Sequence, residues 1–209
     1  MSTQKPSPRK YELKARAESQ ERTRQRIAGA AAELHEEVGP AETTVAEIAR
    51  RAGVSRLTVY KHFPDSAALY PACSAHYLAE HPLPDFQAAL SPEDPVERVG
   101  SLLETVYARW YREFRPMLRN LQRDRGLDPA LDEFMRDNSD AAVAGLADAL
   151  AAGFVGSGAR AKPLRSVIRL ALDFWTWERL TQEGLDDQEA AKVMTDAIAA
   201  TAGVTATSR

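Results

Sequence analysis

Residues 44–63, TVAEIARRAGVSRLTVYKHF, read as two short helices joined by a tight turn. Val45, Ile48, Ala49 and Ala52 recur at i, i+3, i+4 and i+7, which is one face of a helix. Gly53 then supplies a residue that tolerates positive φ where the chain leaves that helix. Val54 plugs the turn, and Ser55 is a good N-cap for the second helix. Ala49 is small enough to let the two helices cross closely. In the second helix Val59 and Phe63, four apart, face inward.

A rotation of about 100° per residue away from Val59 sends Leu57 and Lys61 most directly outward. Thr58 and Tyr60 fall on the flanks, and Arg56 stands at the free N-terminal end. Cations and hydroxyls of this kind hold phosphates, while Arg and apolar groups read base edges and thymine methyls. The surface therefore suits duplex DNA. An ordinary helical hairpin whose second helix is merely solvated is the alternative, and it explains the turn chemistry and the face together less well.

The stretch resembles the helix-turn-helix of the TetR family of bacterial transcriptional regulators. The match runs through TTVAEIARRAGVS (43–55) and TVYKHFPDSAAL (58–69), the upstream helix agrees with it, and it covers about residues 20–70. The resemblance implies that Thr44 holds a phosphate and that Thr58, Tyr60, Lys61 and His62 contact backbone or bases. It gives Arg56 and Leu57 much of the sequence choice, and Ser55 completes the expected DNA-binding set. Two positions depart from the family: Ser66 stands where Lys is usual, and Leu57 where Gly is common. The second should change which bases are preferred.

Charge is unevenly spread. The net charge is −3, yet residues 1–62 carry 12 Lys/Arg against 8 Asp/Glu, and residues 63–209 carry 15 against 22. A basic N-terminal third on an acidic remainder fits a small DNA reader attached to a body with another task. A single cysteine, Cys73, excludes an intrachain disulfide and suits a reducing compartment. It is read as a small buried apolar residue, with redox sensing as the alternative. No apolar run is long enough to cross a bilayer and no secretory signal opens the chain, so the expected setting is the cytoplasm, without a membrane partner.

At 209 residues the chain has room for a small domain and a larger one. Residues 1–18, with Pro6, Pro8 and mixed charge, are expected to form a disordered basic arm. Such an arm either reaches DNA backbone or minor groove or is only a solubilising tail. Residues 19–65 are the expected helix-turn-helix DNA-binding domain, opened by a helix through Ile27, Ala30, Ala31, Leu34 and Val38 that stops at Gly39-Pro40. Residues 66–209 are the expected helical domain for effector binding and dimerisation. Its first helix should run from Asp65 or Ser66 to about His81, kinked or started late by Pro71. Pro82, Pro84 and Ser91-Pro92 mark a linker.

The remaining starts are clear. Asp94-Pro95-Val96-Glu97 combines an N-cap, Pro at the first helical position and Glu three residues on. Arg115-Pro116 breaks that helix, a short one comes next, and Asp128-Pro129 opens a long one to Phe154. Gly153, Gly156 and Gly158 read as a connector, because no Lys-Ser/Thr comes after them to make a phosphate loop. Residues 163–182 carry two apolar faces, Val167, Leu170, Ala171, Phe174 and Trp177 on one and Ile168, Leu172 and Trp175 on the other. Such a pattern implies burial on two sides, either deep inside or between subunits. Asp186 and Glu189 open a last helix. The fold class is all-α.

Helix-turn-helix readers commonly bind two half-sites through a two-fold dimer. The family resemblance places a homodimer contact on helices 163–182 and 187–201, and a pocket for a small, often apolar or aromatic effector among the middle helices. Trp110, Phe134, Phe174 and Trp177 are the expected lining, with plain core as the alternative. The histidines His35, His62, His76 and His81 form no i, i+4 metal pair, and no motif orders Ser, His and Asp for catalysis. Neither an enzyme nor a metal or other cofactor is expected. The leading expectation is an effector-released dimeric repressor on an operator duplex; the other is a DNA-binding activator or architectural partner without an effector.

Overall fold

The computed structural model describes residues 8–154 and 160–204, and no strand occurs among them. It is an all-α fold with an N-terminal helix-turn-helix unit and a helical C-terminal body. Helix α1 spans Pro8–Glu37, and a 3-10 turn comes next at Pro40–Glu42. Then come α2 (Val45–Ala52), α3 (Arg56–His62) and α4 (Ser66–Glu80). The body contains a short α5 (Phe86–Ala89), α6 (Pro95–Thr105) and α7 (Arg115–Asp124). It continues through α8 (Pro129–Met135), α9 (Ala141–Ala152), α10 (Ala161–Ala171), α11 (Phe174–Gln182) and α12 (Asp187–Ala202).

The expected disordered arm at 1–18 is corrected in part. Residues 1–7 lie outside the described residues, but residues 8–18 are the opening turns of α1. Lys, Arg, Glu, Gln and Ala dominate there and are good helix formers. Pro8 stands at the first helical position, where a missing N–H has no cost.

Acidic caps start most helices. Asp65, Asp94, Asp128, Asp173 and Asp186 each accept a backbone N–H from the turn they open, and Asp186 with Glu189 forms a reciprocal capping box. Helix α4 runs unbroken through Pro71 instead of starting late. The linker expected around 82–92 contains the single turn of α5. Of the glycine connector after Phe154, Gly156 and Gly158 lie outside the described residues, while Gly153 ends α9.

Two long helices contain π-type turns, Val106–Tyr111 after α6 and Arg136–Asp140 between α8 and α9. The second keeps the expected run from Pro129 continuous. The carboxylates Asp132 and Asp140, read from sequence as a solvated face, instead hold the Arg125 guanidinium at 2.8 and 2.7 Å and tie α8 and this π turn to the end of α7.

The run 163–182 is corrected: it is two helices, α10 and α11, broken at Leu172–Asp173. Asp173 caps α11 by accepting from the Thr176 N–H at 3.0 Å. The freed carbonyls of Ala171 and Leu172 accept hydroxyls from Tyr107 and Tyr111 at 2.6 and 2.5 Å. Buried carbonyls at a helix end need such partners, and these come from the π turn of another helix.

The buried side chains form two clusters. One is built from α1 to α4 and extends past residue 65 to Met117 of α7 and Leu131 and Met135 of α8. The other fills the body around Leu102, Tyr107, Leu164, Ile168, Trp177 and Ile198. Between them α7 grips the end of α1. The Asn120 amide donates to the His35 and Glu36 carbonyls at 3.0 and 2.8 Å, and Arg123 donates to the Val38 carbonyl at 2.8 Å. Asp124, almost fully buried, accepts the Ala41 N–H at 3.0 Å. Gly39, at φ 98°, lies so close beneath Arg123 and Asp124 that a Cβ there would collide with both.

Candidate nucleic-acid interface

The reading helix is set by local chemistry. Thr44 caps α2 by accepting the Glu47 N–H at 3.2 Å. Gly53 closes α2 in the left-handed region at φ 64° and ψ 40°. Ser55 caps α3, accepting the Thr58 N–H at 3.1 Å, and its hydroxyl also meets that of Thr58 at 2.9 Å. Val59 is 1% exposed and Phe63 is buried beside it, so the helix cannot rotate without emptying the core.

That anchoring fixes the outer surface. Leu57 is 78% exposed and Tyr60 53%, values that a soluble surface normally avoids for large apolar groups. Arg56 and Lys61 are exposed beside them, and Thr58 and His62 are half-buried on the flanks. Thr44 and Ser55 are exposed at the N-termini of α2 and α3. The fold thus gathers Ser55, Arg56, Leu57, Thr58, Tyr60, Lys61 and His62 on one short helix and its cap, with Thr44 at the start of the helix before it. An apolar tip flanked by cations, hydroxyls and two open helix N-termini matches the donor and methyl pattern of a major groove.

Sequence reasoning missed Arg24. Its guanidinium donates to the His62 carbonyl at 3.1 Å and lies 4.2 Å from the centre of the Phe63 ring. It therefore clamps the C-terminal end of α3 onto α1. The signal was available: Arg24 precedes Ile27 by one helical turn, so it continues the packed side of α1 to its rim.

The four residues expected to line an effector pocket are not brought together. Phe174 and Trp177 share the body cluster, their rings 5.6 Å apart and both close to Tyr111. Trp110 lies 4.4 Å from Phe114, and Phe134 stacks on Tyr70 at 6.2 Å. Trp177 is fully enclosed. Its Nε1 donates to Asp187 at 2.9 Å, and the Arg112 and Arg115 guanidinium groups lie 5.2 and 5.8 Å from its ring centre. Burial pushes the Asp187 carboxyl up, but Arg112 and the indole N–H together hold it below the usual carboxylate range. A wide open cleft of about 1250 Å³ lies instead between α6 and α12, bordered by Pro95, Ser101, Phe154, Lys192 and Thr195.

At the junction, His35 is buried against Tyr70 and Cys73, with the Cys73 Sγ 3.7 Å from its Nδ1. Burial lowers the imidazole to about 4, partly offset by Asp124 and Asp128, and lifts the Cys73 thiol to about 12. A thiol held protonated in this way is an unreactive core residue. Among the described residues no group of three or more His, Cys, Asp or Glu side chains is placed to hold a metal ion, and no helix is long and apolar enough to cross a membrane.

Comparison with known proteins agrees with this geometry. Residues 27–73 match the sequence profile of the bacterial regulatory proteins of the tetR family. The chain is 37% identical over 107 residues to the HTH-type transcriptional regulator TtgW of Pseudomonas putida, covering 50% of this chain and 78% of that protein. It is equally 37% identical over 107 residues to the HTH-type transcriptional regulator SrpR of Pseudomonas putida, where the match spans 50% of this chain and 49% of SrpR. Its fold aligns with the crystal structure of NalD, the secondary repressor of the MexAB-OprM multidrug efflux pump in Pseudomonas aeruginosa. The TM-score is 0.58 at 27% identity, over 88% of this chain and 97% of NalD.

Proposed function

The chain belongs to the TetR family of bacterial regulatory proteins, and from that premise we propose that it is a dimeric transcriptional repressor released from its operator by a small effector. Residues 19–65 act as the DNA-binding domain and 66–209 as the effector-binding and dimerisation domain. Its place of action is the cytoplasm. The observation that carries the reading is α3, pinned from behind by Val59, Phe63 and Arg24 while Arg56, Leu57, Tyr60 and Lys61 face outward.

In this reading Thr44, Ser55 and Lys61 hold phosphates, Thr58, Tyr60 and His62 contact backbone or bases, and Arg56 and Leu57 choose the sequence. The test is footprinting of the purified chain on the duplex upstream of its own gene. Two protected half-sites about 34–36 Å apart are expected, and absence of any protected site refutes the proposal. Arg56→Ala should cost about 1–3 kcal/mol and relax sequence choice if Arg56 reads a guanine.

The dimer contact is assigned to residues 163–182 and 187–201. Leu170 and Trp175 are 55% and 41% exposed, and Val193, Ala197 and Ala200 form an exposed stripe along α12. An apolar surface on three successive elements supports a two-fold contact. Sedimentation at micromolar concentration should show the dimer, and a persistent monomer overturns it.

An effector acts only through its different affinity for the DNA-competent and released states. Trp110, Phe134, Phe174 and Trp177 are the proposed apolar or aromatic contacts, since all lie on body helices within or against the buried clusters. Titration of the DNA complex with aromatic compounds should lower affinity. A second reading, a DNA-binding activator or architectural partner without an effector, is favoured by the complete enclosure of Trp177. Unchanged DNA affinity across such titrations would select it.

A further inference from the structure

Helix α1 is longer than its packing requires. Its first fully buried side chain is Ile27, and from Lys14 to Arg26 every residue is exposed except the half-buried Thr23 and Arg24. Two contacts fix the direction of this overhang. The His35 and Glu36 carbonyls meet Asn120 of α7 in the body, whereas Arg24 meets the His62 carbonyl at the end of α3. Passing from 36 to 24 leads from the body to the reading helix. The same axis continued to Pro8 leads past that helix, away from the body, by about 24 Å for the residues before Arg24. That reach is about twice the width of a major groove, roughly 12 Å.

The overhang sorts its charges by face. The side that buries Ile27, Ala31 and Leu34 continues at helical spacing through Thr23, Gln20 and Arg16. Arg22 and Arg26 lie along one flank. Glu18 and Glu21, the only acids between 14 and 26, lie on the opposite side, where Glu18 pairs with Lys14 at 3.8 Å and Glu21 with the Gln25 amide at 2.7 Å. Among the described residues Arg16, Arg22 and Arg26 make no ion pair. Cations and amides on the side nearest α3, with acids turned away, are the arrangement that a polyanionic backbone selects.

We propose that the overhang is a second DNA-contacting element: a helical strut that lies against phosphates of the duplex flanking the segment read by α3, through Arg16, Gln20, Arg22 and Arg26. This rests on α3 being the reading helix. The contacts are independent of base sequence and widen the footprint on each half-site.

The experiment titrates the full chain with a long random-sequence duplex over a range of salt. The log–log slope changes by about 0.9 for each phosphate neutralised. The triple variant R16Q/R22Q/R26Q should flatten the slope by about 2–3 and weaken binding at least tenfold at low salt. Its circular dichroism and thermal midpoint should match the wild type, because all three side chains are exposed. Ala17→Pro retains every charge but breaks the rod, and should lose a comparable share of affinity. A wild-type slope in the triple variant, or wild-type affinity in A17P, overturns the strut. Lys61→Gln separates the two ideas. If K61Q loses affinity and the overhang variants do not, the strut alone fails. If the overhang variants lose affinity and K61Q does not, the assignment of α3 fails and the strut stands.

Discussion

Helices α2–α3 and α10–α11 are each a pair of short helices joined by a tight connection, but their joints are made from different sources. The first joint is made from its own residues: Gly53 takes the left-handed conformation, Ser55 caps the next helix, and Val59 and Phe63 seat it. The second has an acidic cap at Asp173 but no glycine in its turn. Its exposed carbonyls are satisfied by Tyr107 and Tyr111, more than sixty residues earlier in the chain. A reading module whose geometry is local keeps its shape whatever body it is attached to. A body whose joints depend on distant hydroxyls varies with every change in its packing.

The largest expected effect falls on the contact between the two regions. His35, buried and lowered to about 4 from an ordinary 6.5, takes up a proton more readily in the unfolded chain. Stability is therefore complete above pH 6.5 and falls as the pH drops toward 4, by roughly 3 kcal/mol from this group. Urea unfolding at pH 7 and pH 4.5 measures the loss, and His35→Gln should flatten it. Identical acid sensitivity in that variant would remove His35 from the account.

A smaller effect probes the distant joint. Tyr107→Phe with Tyr111→Phe leaves the Ala171 and Leu172 carbonyls buried without donors, at about 2 kcal/mol for the pair. The loss should appear in thermal unfolding while DNA binding survives. A double variant as stable as wild type would mean that Asp173 alone makes the break.

Smaller still is the local joint. Ser55→Ala removes the α3 cap and should cost about 1 kcal/mol. Here DNA affinity should fall along with stability, since the same residue orients the reading helix. The smallest change in stability belongs to Leu57→Ala. At 78% exposure it should shift the melting free energy by less than about 0.5 kcal/mol. Selection from a random duplex pool should nonetheless return a different preferred sequence, and an unchanged preference would exclude Leu57 from base reading.

The same contrast explains what is legible in the sequence. Helix starts at Thr44, Ser55, Asp65, Asp94, Asp128 and Asp186 are readable because a cap and its target lie within three residues. The outward set from Arg56 to His62 comes from helical spacing around Val59. The break at Leu172–Asp173 is not readable, because apolar residues continue on both sides and its stabilising partners are remote. The π turns at 106–111 and 136–140 have no propensity signal of their own. Residues 8–18 read as disordered from their prolines and mixed charge, although their composition favours helix and pairs such as Lys14 with Glu18 support it. The aromatic residues stand out as a group, but identity alone cannot tell that Trp177 packs with Tyr111 while Phe134 stacks on Tyr70.

Because α1 is a single unbroken helix from Pro8 to Glu37, held at one end by α7 and cradled near its middle by α2 and α4, it behaves as a lever. A slight tilt imposed where Asn120 and Arg123 grip it becomes a sideways swing of several ångströms at the far tip. Small rearrangements in the body are thereby amplified at the molecule's outermost point.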